Sequence, residues 1–323
     1  MIKKGKNINY ASQKLKENGL VAIPTETVYG LAGNALNYDS VNKIFKLKKR
    51  PKNDPLICHT NSIEKIIKFV KNVPDKAEIL AKKFWPGPLT IIFEKNKIIP
   101  DITTSNLNKV AFRIPNKSIT LKLLEKLPFP LAAPSANLFS YISPTKVSHI
   151  YKNFSNNIDY ILDGGDCSMG IESTIISFDN DEPIIHRLGS LTTEDIEKVI
   201  GKVKFMNSND KFPGSFHKHY APIKKLYVGD IDKLYDKFKT KRIGLLSFNK
   251  EYDFISKKNQ IILSRNSSLK EATKNLYSAL YELDNMKDID LIITGFVNNK
   301  SLGKTINDRL IKSSYKYDRT EIR

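Results

Sequence analysis

The chain has 323 residues, enough for one large domain or for two domains with separate hydrophobic cores. Hydrophobic residues make up 40% and charged residues 27%, and the apolar runs at 20–23 and 89–93 are far shorter than a membrane span. No secretory signal is recognisable at the N-terminus, and the two cysteines, Cys58 and Cys167, form no CxxC pair. We therefore expect a cytoplasmic protein without a disulfide framework or a zinc site.

The formal net charge of +19 predicts an anionic partner, such as a nucleotide, an RNA or both. A second interpretation stays open, because the excess is mostly lysine scattered along the chain beside many asparagine and isoleucine residues. An A+T-biased genome would encode that composition without any selection for RNA binding. Charge by itself therefore does not decide the partner.

Alternating helix and strand patterns fill the first 200 residues, which predicts an α/β domain. Caps and a 3.6-residue apolar period predict helices at 8–18, 39–50, 74–84, 118–126, after 143–144, and at 192–201. Short β-branched and aromatic runs predict strands at 20–23, 89–93, 110–114, 131–133, 160–162 and 173–178.

The periodicity lapses from 202 to 222 and then restarts, which predicts a linker followed by a second domain. Strands are predicted at 225–228, 243–248, 260–263 and 291–294, and helices at 231–238, 268–283 and 306–312. This alternation is typical of a small doubly wound α/β unit. The predicted boundaries are 1–204 for the first domain, 205–222 for the linker and 223–323 for the second domain.

Several common motifs are missing: no GxGxxG follows a strand, and no GxxxxGK[ST], GxSxG or HExxH occurs. Any phosphates must therefore be held by side chains and by loops at strand ends. Lys48 and Arg50 offer charge-assisted donors, and Ser135 and Asn137 offer neutral donors. Taken singly, each has a simpler interpretation: a solvated helix end for Lys48-x-Arg50, a turn for Ser135-x-Asn137, and a half-buried strand residue for His59.

Taken together, an ordered set of motifs from about residue 19 to residue 314 resembles one family. The motifs are PTETVYGL at 24–31, KxR at 48–50, PLICH at 55–59, FWPGPLT at 84–90, AAPSAN at 132–137, SPT at 143–145, DGG at 163–165, GIEST at 170–174 and HYAP at 219–222. The sequence is similar to the threonylcarbamoyl-AMP synthases, in the long two-domain form of the YrdC-like family. The resemblance implies a YrdC-like twisted open α/β sheet domain followed by a small doubly wound α/β domain.

The activity implied by this resemblance is that of L-threonylcarbamoyladenylate synthase, a nucleotidyltransferase. Such an enzyme forms threonylcarbamoyl-AMP and pyrophosphate from L-threonine, bicarbonate and ATP, for N6-threonylcarbamoyladenosine modification of tRNA. The carbamate attacks the α-phosphate directly, so no enzyme nucleophile is needed and catalysis rests on positioning and charge neutralisation. The implied partner is a downstream tRNA threonylcarbamoyl transferase complex, and weak binding to tRNA or double-stranded RNA is compatible with the charge.

The resemblance also implies roles for individual residues. The catalytic set would be Lys48, Arg50, Ser135 and Asn137; ATP would contact Arg50, Ser135, Ser143 and Arg187; L-threonine would contact Thr27, His59, Arg113, Ala133 and Thr174. Arg113 is the natural partner of the threonine carboxylate because its planar fork can pair bidentately. Mg²⁺ is expected on the phosphates without a dedicated protein metal site. The linker around His219 and Tyr220 is expected to fold over the site.

The chain departs from the family pattern in ways that concern the nucleotide. Asp54 stands where asparagine is usual, Lys109 replaces a small polar residue, 138–141 lacks the common Ser-Gly turn, and Arg187-Leu188-Gly189 lacks a proline. There are two alternatives to the synthase. A non-catalytic RNA-binding module of the same fold would need no amino-acid pocket, and a hydrogenase-maturation carbamoyl-transfer domain would need more cysteines and a longer chain.

Overall fold

The computed structural model describes residues 3–154, 157–206 and 219–317, and the chain divides into two compact units. The first unit comprises Met1–Phe139, Pro144–Ser168 and Glu172–Ser215; the second comprises Ser140–Ser143, Met169–Ile171 and Phe216–Arg323. Most of the predicted linker, 207–218, lies outside the described residues, so the predicted domain boundaries stay predictions. No helix in the described part of the chain is long and apolar enough to cross a membrane.

The first unit is built on a mixed sheet with eleven strands in its described part. These are β1 (Lys4–Gly5), β2 (Val21–Ile23), β3 (Gly30–Asn34), β4 (Ile57–His59), β5 (Leu89–Glu94), β6 (Lys109–Arg113), β7 (Leu131–Ala132), β8 (Tyr160–Leu162), β9 (Thr174–Asp179), β10 (Glu182–Arg187) and β11 (Lys204–Phe205). Their order is β1-β8-β2-β3-β7-β4-β6-β5-β9-β10-β11.

The first unit has eight helices among its described residues. They are α1 (Ile8–Lys16), α2 (Tyr38–Lys48), α3 (Ile63–Ile67), α4 (Asp75–Phe84), α5 (Asp101–Thr104), α6 (Ser118–Glu125), α7 (Val147–Phe154) and α8 (Thr193–Ile200). Polar side chains cap α1, α2, α3 and α8. Asn7, Ser62 and Thr192 each accept a backbone N–H from three residues on. Helix α2 was predicted to begin at residue 39 but begins at Tyr38, with Asn37 as its cap: the Asn37 side chain accepts from Ser40 N.

The sheet buries one face along its length and part of the other. One apolar cluster, which includes Leu31, Phe45, Phe112 and Ile176, covers the first face. On the second face, α1 and α6 pack against the half that contains β2 and β8. The central strands of that second face carry a small patch of Ile57, Ala111 and Ile175. Because side chains alternate along a strand, His59 and Arg113 point to the same side as this patch.

The second unit has a five-stranded sheet in which every neighbouring pair is parallel. Its strands, in the order β14-β13-β15-β12-β16, are β12 (Lys225–Val228), β13 (Ile243–Ser247), β14 (Gln260–Ile262), β15 (Leu291–Thr294) and β16 (Lys316–Tyr317). Its helices are α9 (Ile231–Phe238), α10 (Leu269–Asn285) and α11 (Leu302–Ser313), with a 3-10 turn at Lys257–Asn259. The predicted doubly wound α/β class is confirmed, although α11 begins four residues earlier than predicted.

Candidate active site

The candidate residues of the first unit gather around β4, a strand of three residues. His59, at its end, lies in register with Arg113 on the parallel β6. Ala133 donates its backbone N–H to Ile57 at the other end of β4, at 3.0 Å. Two residues of extended chain span about 7 Å. The two ends of β4 therefore lie close together and define the two sides of a candidate site, one beside Ala133 and one beside Arg113.

On the Ala133 side, Lys48 holds the loop that carries Ser135 and Asn137. It is the last residue of α2, its side chain is 1% exposed, and Nζ donates to the carbonyl oxygens of Ser135 at 2.5 Å and Asn137 at 2.6 Å. Burial, and then the neighbouring charge of Arg50, lower the pKa of Lys48 well below its usual value. Lys48 therefore holds the backbone of the loop through these two hydrogen bonds, and it contributes to a ligand site only indirectly.

Arg50 lies beside Lys48 and is paired with the unusual Asp54. The guanidinium Nη2 is 2.8 Å from Asp54 Oδ1 in a buried ion pair, and it also donates to the carbonyl oxygen of Pro55 at 3.0 Å. The Nε group donates to the carbonyl oxygen of Asp54 at 3.1 Å. The carboxylate thus neutralises an arginine that the resemblance assigns to phosphate binding.

The loop after β7 carries the Ser135 hydroxyl, a hydrogen-bond donor that solvent can reach. Ser135 forms an antiparallel bridge with Gly30, while Asn137 Nδ2 donates to the carbonyl oxygen of Leu138 at 2.7 Å. The half-buried Ser135 hydroxyl contacts no hydrogen-bond partner among the described residues. This hydroxyl is therefore available to a ligand, and the backbone around it is fixed by Lys48.

On the other side of β4, Arg113 is the centre of a buried polar group. Its Nη1 donates to Thr27 Oγ1 at 2.7 Å, Nη2 lies 2.7 Å from Glu26 Oε1, and Nε donates to the Gly87 carbonyl oxygen at 3.2 Å. A guanidinium has five N–H groups. Two of them remain for an incoming carboxylate within the described part of the chain.

His59 is a neutral imidazole next to this arginine. Burial, and then the charge of Arg113, lower the pKa of His59 to about 3. Its Nδ1 is buried and has no hydrogen-bond partner among the described residues. At neutral pH the ring is therefore a poor proton acceptor, but it can donate or accept a hydrogen bond without adding charge.

The low pKa of His59 predicts a pH-dependent loss of stability. The unfolded state binds a proton below about pH 6.5, whereas the folded state resists protonation until about pH 3, so stability is full above 6.5 and falls between these values. We expect the free energy of unfolding to drop by about 2 kcal/mol more between pH 7 and pH 5 in the wild type than in His59→Gln. Urea unfolding at both pH values measures this difference.

His149 titrates in the same window, since burial lowers its pKa to about 4. The matched control is therefore His149→Gln, which should retain the His59 contribution. Equal pH dependence in the wild type and His59→Gln would contradict a neutral, buried His59.

Thr174 and Arg187 lie where β9 begins and β10 ends. Thr174 pairs with Leu89 on β5, and its hydroxyl donates to the Leu191 carbonyl oxygen at 2.5 Å. Arg187 Nη2 donates to the carbonyl oxygen of Ser173 at 2.9 Å and to its hydroxyl oxygen at 3.1 Å. The β9–β10 hairpin thus holds Arg187 close to Thr174, the residue that the resemblance assigns to L-threonine binding.

The structure gathers Lys48, Arg50, Ser135, Asn137 and Ala133 on one side of β4, and His59, Arg113 and Thr27 on the other. Ser143 belongs to the second unit. Sequence reasoning assigned no role to Glu26 and Ser173, which hold Arg113 and Arg187. Glu26 could have been found, because it is the one carboxylate inside the PTETVYG motif.

The site contains cationic and neutral donors but no activated cysteine. Burial raises the pKa of Cys58 to about 12, and burial raises that of Cys167 to about 12. Neither thiol forms an appreciable thiolate at neutral pH. The arrangement is suited to binding an anionic ligand next to a second ligand that carries a carboxylate. It is not suited to covalent catalysis by a cysteine.

The chain is similar to known proteins over nearly its whole length. The family model Sua5_yciO_yrdC, described as "Telomere recombination", matches residues 13–189, and "Threonylcarbamoyl-AMP synthase, C-terminal domain" matches residues 191–314. The chain is 38% identical to threonylcarbamoyl-AMP synthase of Pyrococcus abyssi over 95% of this chain and 94% of that protein. It is 36% identical to the Bacillus subtilis protein of the same name, over 95% of this chain and 92% of that one.

A solved structure matches the whole chain as well. The crystal structure of P. abyssi Sua5 complexed with L-threonine superposes with a TM-score of 0.90 at 36% identity, covering 98% of both chains. The YrdC-like sheet domain and the second α/β domain are thereby confirmed together. The chain belongs to the Sua5/YciO/YrdC family, in the two-domain form that ends in a threonylcarbamoyl-AMP synthase C-terminal domain.

Proposed function

We propose that this chain is an L-threonylcarbamoyladenylate synthase, which forms threonylcarbamoyl-AMP and pyrophosphate from L-threonine, bicarbonate and ATP. The observation that carries the proposal is the two-sided site around β4. Arg50 and the Ser135 hydroxyl lie on one side, and Arg113 with a neutral His59 lies on the other. Its relatives named threonylcarbamoyl-AMP synthase, and the relative crystallised with L-threonine, support the same reaction.

In this proposal the Arg113 side binds L-threonine. The carboxylate takes the two remaining guanidinium N–H groups, while the Thr27 and Thr174 hydroxyls and the Ala133 backbone contact the rest of the amino acid. Glu26 is the positioning residue that fixes Arg113. His59 hydrogen-bonds the carbamate without adding a positive charge.

The Ala133 side binds ATP. Arg50 and Arg187 donate charge-assisted hydrogen bonds to the phosphates, although Asp54 offsets part of the charge of Arg50. The Ser135 hydroxyl donates a neutral hydrogen bond, and Lys48 and Asn137 keep the Ser135 loop in shape. The carbamate oxygen attacks the α-phosphorus, the bond to the β-phosphate oxygen breaks, and pyrophosphate leaves with the electron pair. The contribution of the protein is therefore alignment and electrostatic stabilisation. The role of Ser143 stays a prediction from the resemblance.

Mg²⁺ is proposed to enter with ATP and to neutralise the phosphates. Within the described residues no group of three or more histidine, cysteine, aspartate or glutamate side chains could hold a metal ion. The ion would therefore take most of its ligands from phosphate and water, as Mg²⁺ at phosphates usually does. We also propose a cytoplasmic location and delivery of the product to a tRNA threonylcarbamoyl transferase complex.

The proposal is tested by measuring pyrophosphate release from ATP by the purified protein. Release should require both L-threonine and bicarbonate, and L-serine in place of L-threonine should give much less. Release that is independent of threonine, or none from folded protein that binds ATP, would overturn the assignment. The second of these results would favour the RNA-binding alternative, for which direct titration with tRNA is the next measurement.

Asp54 provides a test of the nucleotide side. Asp54→Asn removes the negative charge beside Arg50, so Arg50 should attract the ATP phosphates more strongly. We expect KM for ATP to fall about fivefold, because the free energy involved is only a fraction of the Coulomb energy between two close charges. The ATP-induced rise in melting temperature should also be larger than in the wild type, because ATP then supplies the missing counterion.

The matched control for this variant is Asp39→Asn, which makes the same charge change at an exposed position of α2. It should leave KM for ATP within twofold of wild type, since exposed charges are screened. A KM for ATP that rises in Asp54→Asn would show that the carboxylate assists nucleotide binding.

A further inference from the structure

Helix α9 of the second unit covers its face of the sheet incompletely. Its apolar side chains recur at helical spacing and pack against the sheet, and they are Ile231, Leu234, Tyr235 and Phe238. None of the eight residues of α9 is fully buried, whereas α10 and α11 each contain several buried residues. The second unit therefore leaves apolar surface accessible to solvent around α9.

Aromatic rings form one part of this surface. The ring centroid of Tyr227, on β12, lies 4.4 Å from that of Phe238 and 5.9 Å from that of Tyr315. Phe238 is the last residue of α9, and Tyr315 is 51% exposed. Tyr315 therefore belongs to a contiguous group of rings, and exposed apolar groups of this kind often mark binding sites.

A second group of rings adjoins the first. The ring centroid of Phe254 lies 4.3 Å from that of Tyr235 and 5.3 Å from that of Tyr252, and Phe254 is 36% exposed. Tyr235 and Phe238 lie three residues apart on one side of α9, so the two groups are neighbours. We call the six rings together the aromatic surface, whose members are Tyr227, Tyr235, Phe238, Tyr252, Phe254 and Tyr315.

Three exposed lysines extend over these rings. Lys225 Nζ lies 4.6 Å from the ring centroid of Tyr315, and Lys250 Nζ lies 4.6 Å from that of Tyr252. Lys237 Nζ lies 5.7 Å from the ring centroid of the residue that follows it. An ammonium group over an aromatic ring is attracted by the negative face of the ring. The aromatic surface therefore holds positive charge close to its rings.

The charge around the aromatic surface favours an anionic partner. The stretch 225–254 contains six lysines and five carboxylates. One of the lysines and two of the carboxylates form ion pairs with described residues: Asp236 with Lys239 at 3.7 Å, and Glu251 with Arg265 at 2.7 Å. More lysines than carboxylates of this stretch are thus left without an ion pair in the described chain. A ligand that carries both flat rings and negative charge would complement the aromatic surface.

We propose that the aromatic surface binds single-stranded RNA. Unpaired bases stack on exposed aromatic rings, and lysines beside those rings contact the phosphates, as in many proteins that bind single strands. Tyr315 and Phe254 offer the stacking faces, and the three lysines over the rings offer the charges. Bases inside a duplex are covered by their neighbours, so the rings select a single strand.

Binding to this surface does not depend on the proposed function. The aromatic surface lies in the second unit and contains no residue assigned to a substrate. The choice of RNA does rest on the proposed function, because the product of that reaction is used to modify tRNA, which has single-stranded loops.

The test is a titration of the full chain with a fluorescent oligouridine of about ten nucleotides, followed by fluorescence anisotropy. Loss of one stacked base should raise Kd about tenfold in Tyr315→Ala and in Phe254→Ala. With three phosphate contacts, log Kd should rise with the logarithm of salt concentration with a slope of about 2. Lys225→Gln should lower that slope by about 0.7. The slope is measured on protein with all rings intact, so it tests the surface even if an alanine variant fails to fold.

The matched controls are Tyr38→Ala and Lys270→Gln. Tyr38 is 56% exposed on α2 of the first unit, and Lys270 is exposed on α10. Neither change should alter Kd or its salt dependence, and an equal loss of affinity in Tyr38→Ala would contradict a role specific to the aromatic surface.

The outcomes separate the two proposals. RNA binding that depends on the rings, in a protein without threonine-dependent pyrophosphate release, supports the aromatic surface and refutes only the proposed function. No binding by the wild type, or an unchanged Kd in both ring variants, overturns the inference. Equal affinity for a duplex overturns the selection of a single strand, and equal affinity for oligothymidine overturns the choice of RNA.

Discussion

Replacing Arg113 by alanine is expected to lower kcat/KM for L-threonine about 1000-fold, because two charge-assisted hydrogen bonds to the substrate carboxylate are lost. The same change removes the donor to Thr27 and the counterion of Glu26. Steady-state pyrophosphate release at varied L-threonine measures the effect. ATP binding, followed by isothermal titration, should remain measurable because the nucleotide side of β4 is unchanged.

The control for this prediction must keep the buried Glu26 neutralised. An uncompensated buried charge costs about 3–5 kcal/mol, so Arg113→Ala could lose activity through unfolding. Arg113→Lys retains a cation near Glu26 but loses the planar fork. We expect it to fold and to raise KM for L-threonine about 30-fold. Wild-type KM in Arg113→Lys would show that the carboxylate binds elsewhere.

Replacing Lys48 by methionine is expected to lower kcat/KM for ATP about 100-fold. Methionine has a similar length but donates no hydrogen bond, so the carbonyl oxygens of Ser135 and Asn137 lose their buried partner. The Ser135 carbonyl oxygen keeps the N–H of Asn137 as a donor, at 3.0 Å. Loss of the two lysine hydrogen bonds to buried carbonyls still costs about 1–3 kcal/mol each, which favours movement of the loop from its present position. The measurement is pyrophosphate release at varied ATP, with the melting temperature recorded in parallel.

Lys46→Met is the matched control, because Lys46 is exposed on α2 and the substitution is chemically identical. It should change neither KM for ATP nor kcat beyond twofold. A normal kcat/KM for ATP in Lys48→Met would show that the Ser135 loop keeps its shape without the lysine, and that Lys48 is important only for packing.

The strands that the sequence missed are those with weak local signals. β3 contains Gly30 and Gly33, and glycine is poorly represented in strands. β10 contains Pro183, which argues against a strand, yet it pairs with β9 through a tight turn in which Asn180 and Asp181 both have positive φ. In both cases pairing within the sheet outweighed the local preference.

At the candidate site, too, the sequence predicted some features and missed others. The sequence named Arg113, Thr27 and His59 as separate candidate residues but gave no reason to expect Glu26 beside them. Their contact requires the segment after β2 to reach a strand more than 80 residues further along the chain. Likewise, Lys48 was expected to bind phosphate, whereas its amine faces two backbone carbonyls. Burial decides whether a donor reaches a ligand or supports a loop. Composition and motif spacing do not report burial.

By itself, the sequence determined the fold class, a division into two α/β domains and the family. These properties depend on periodicity and on ordered motifs, both of which are local along the chain. The tertiary structure decided what each residue does: Asp54 pairs with Arg50, Glu26 fixes Arg113, and Lys48 holds the Ser135 loop. Such contacts join residues that are distant in sequence, and only packing determines which of them are buried together.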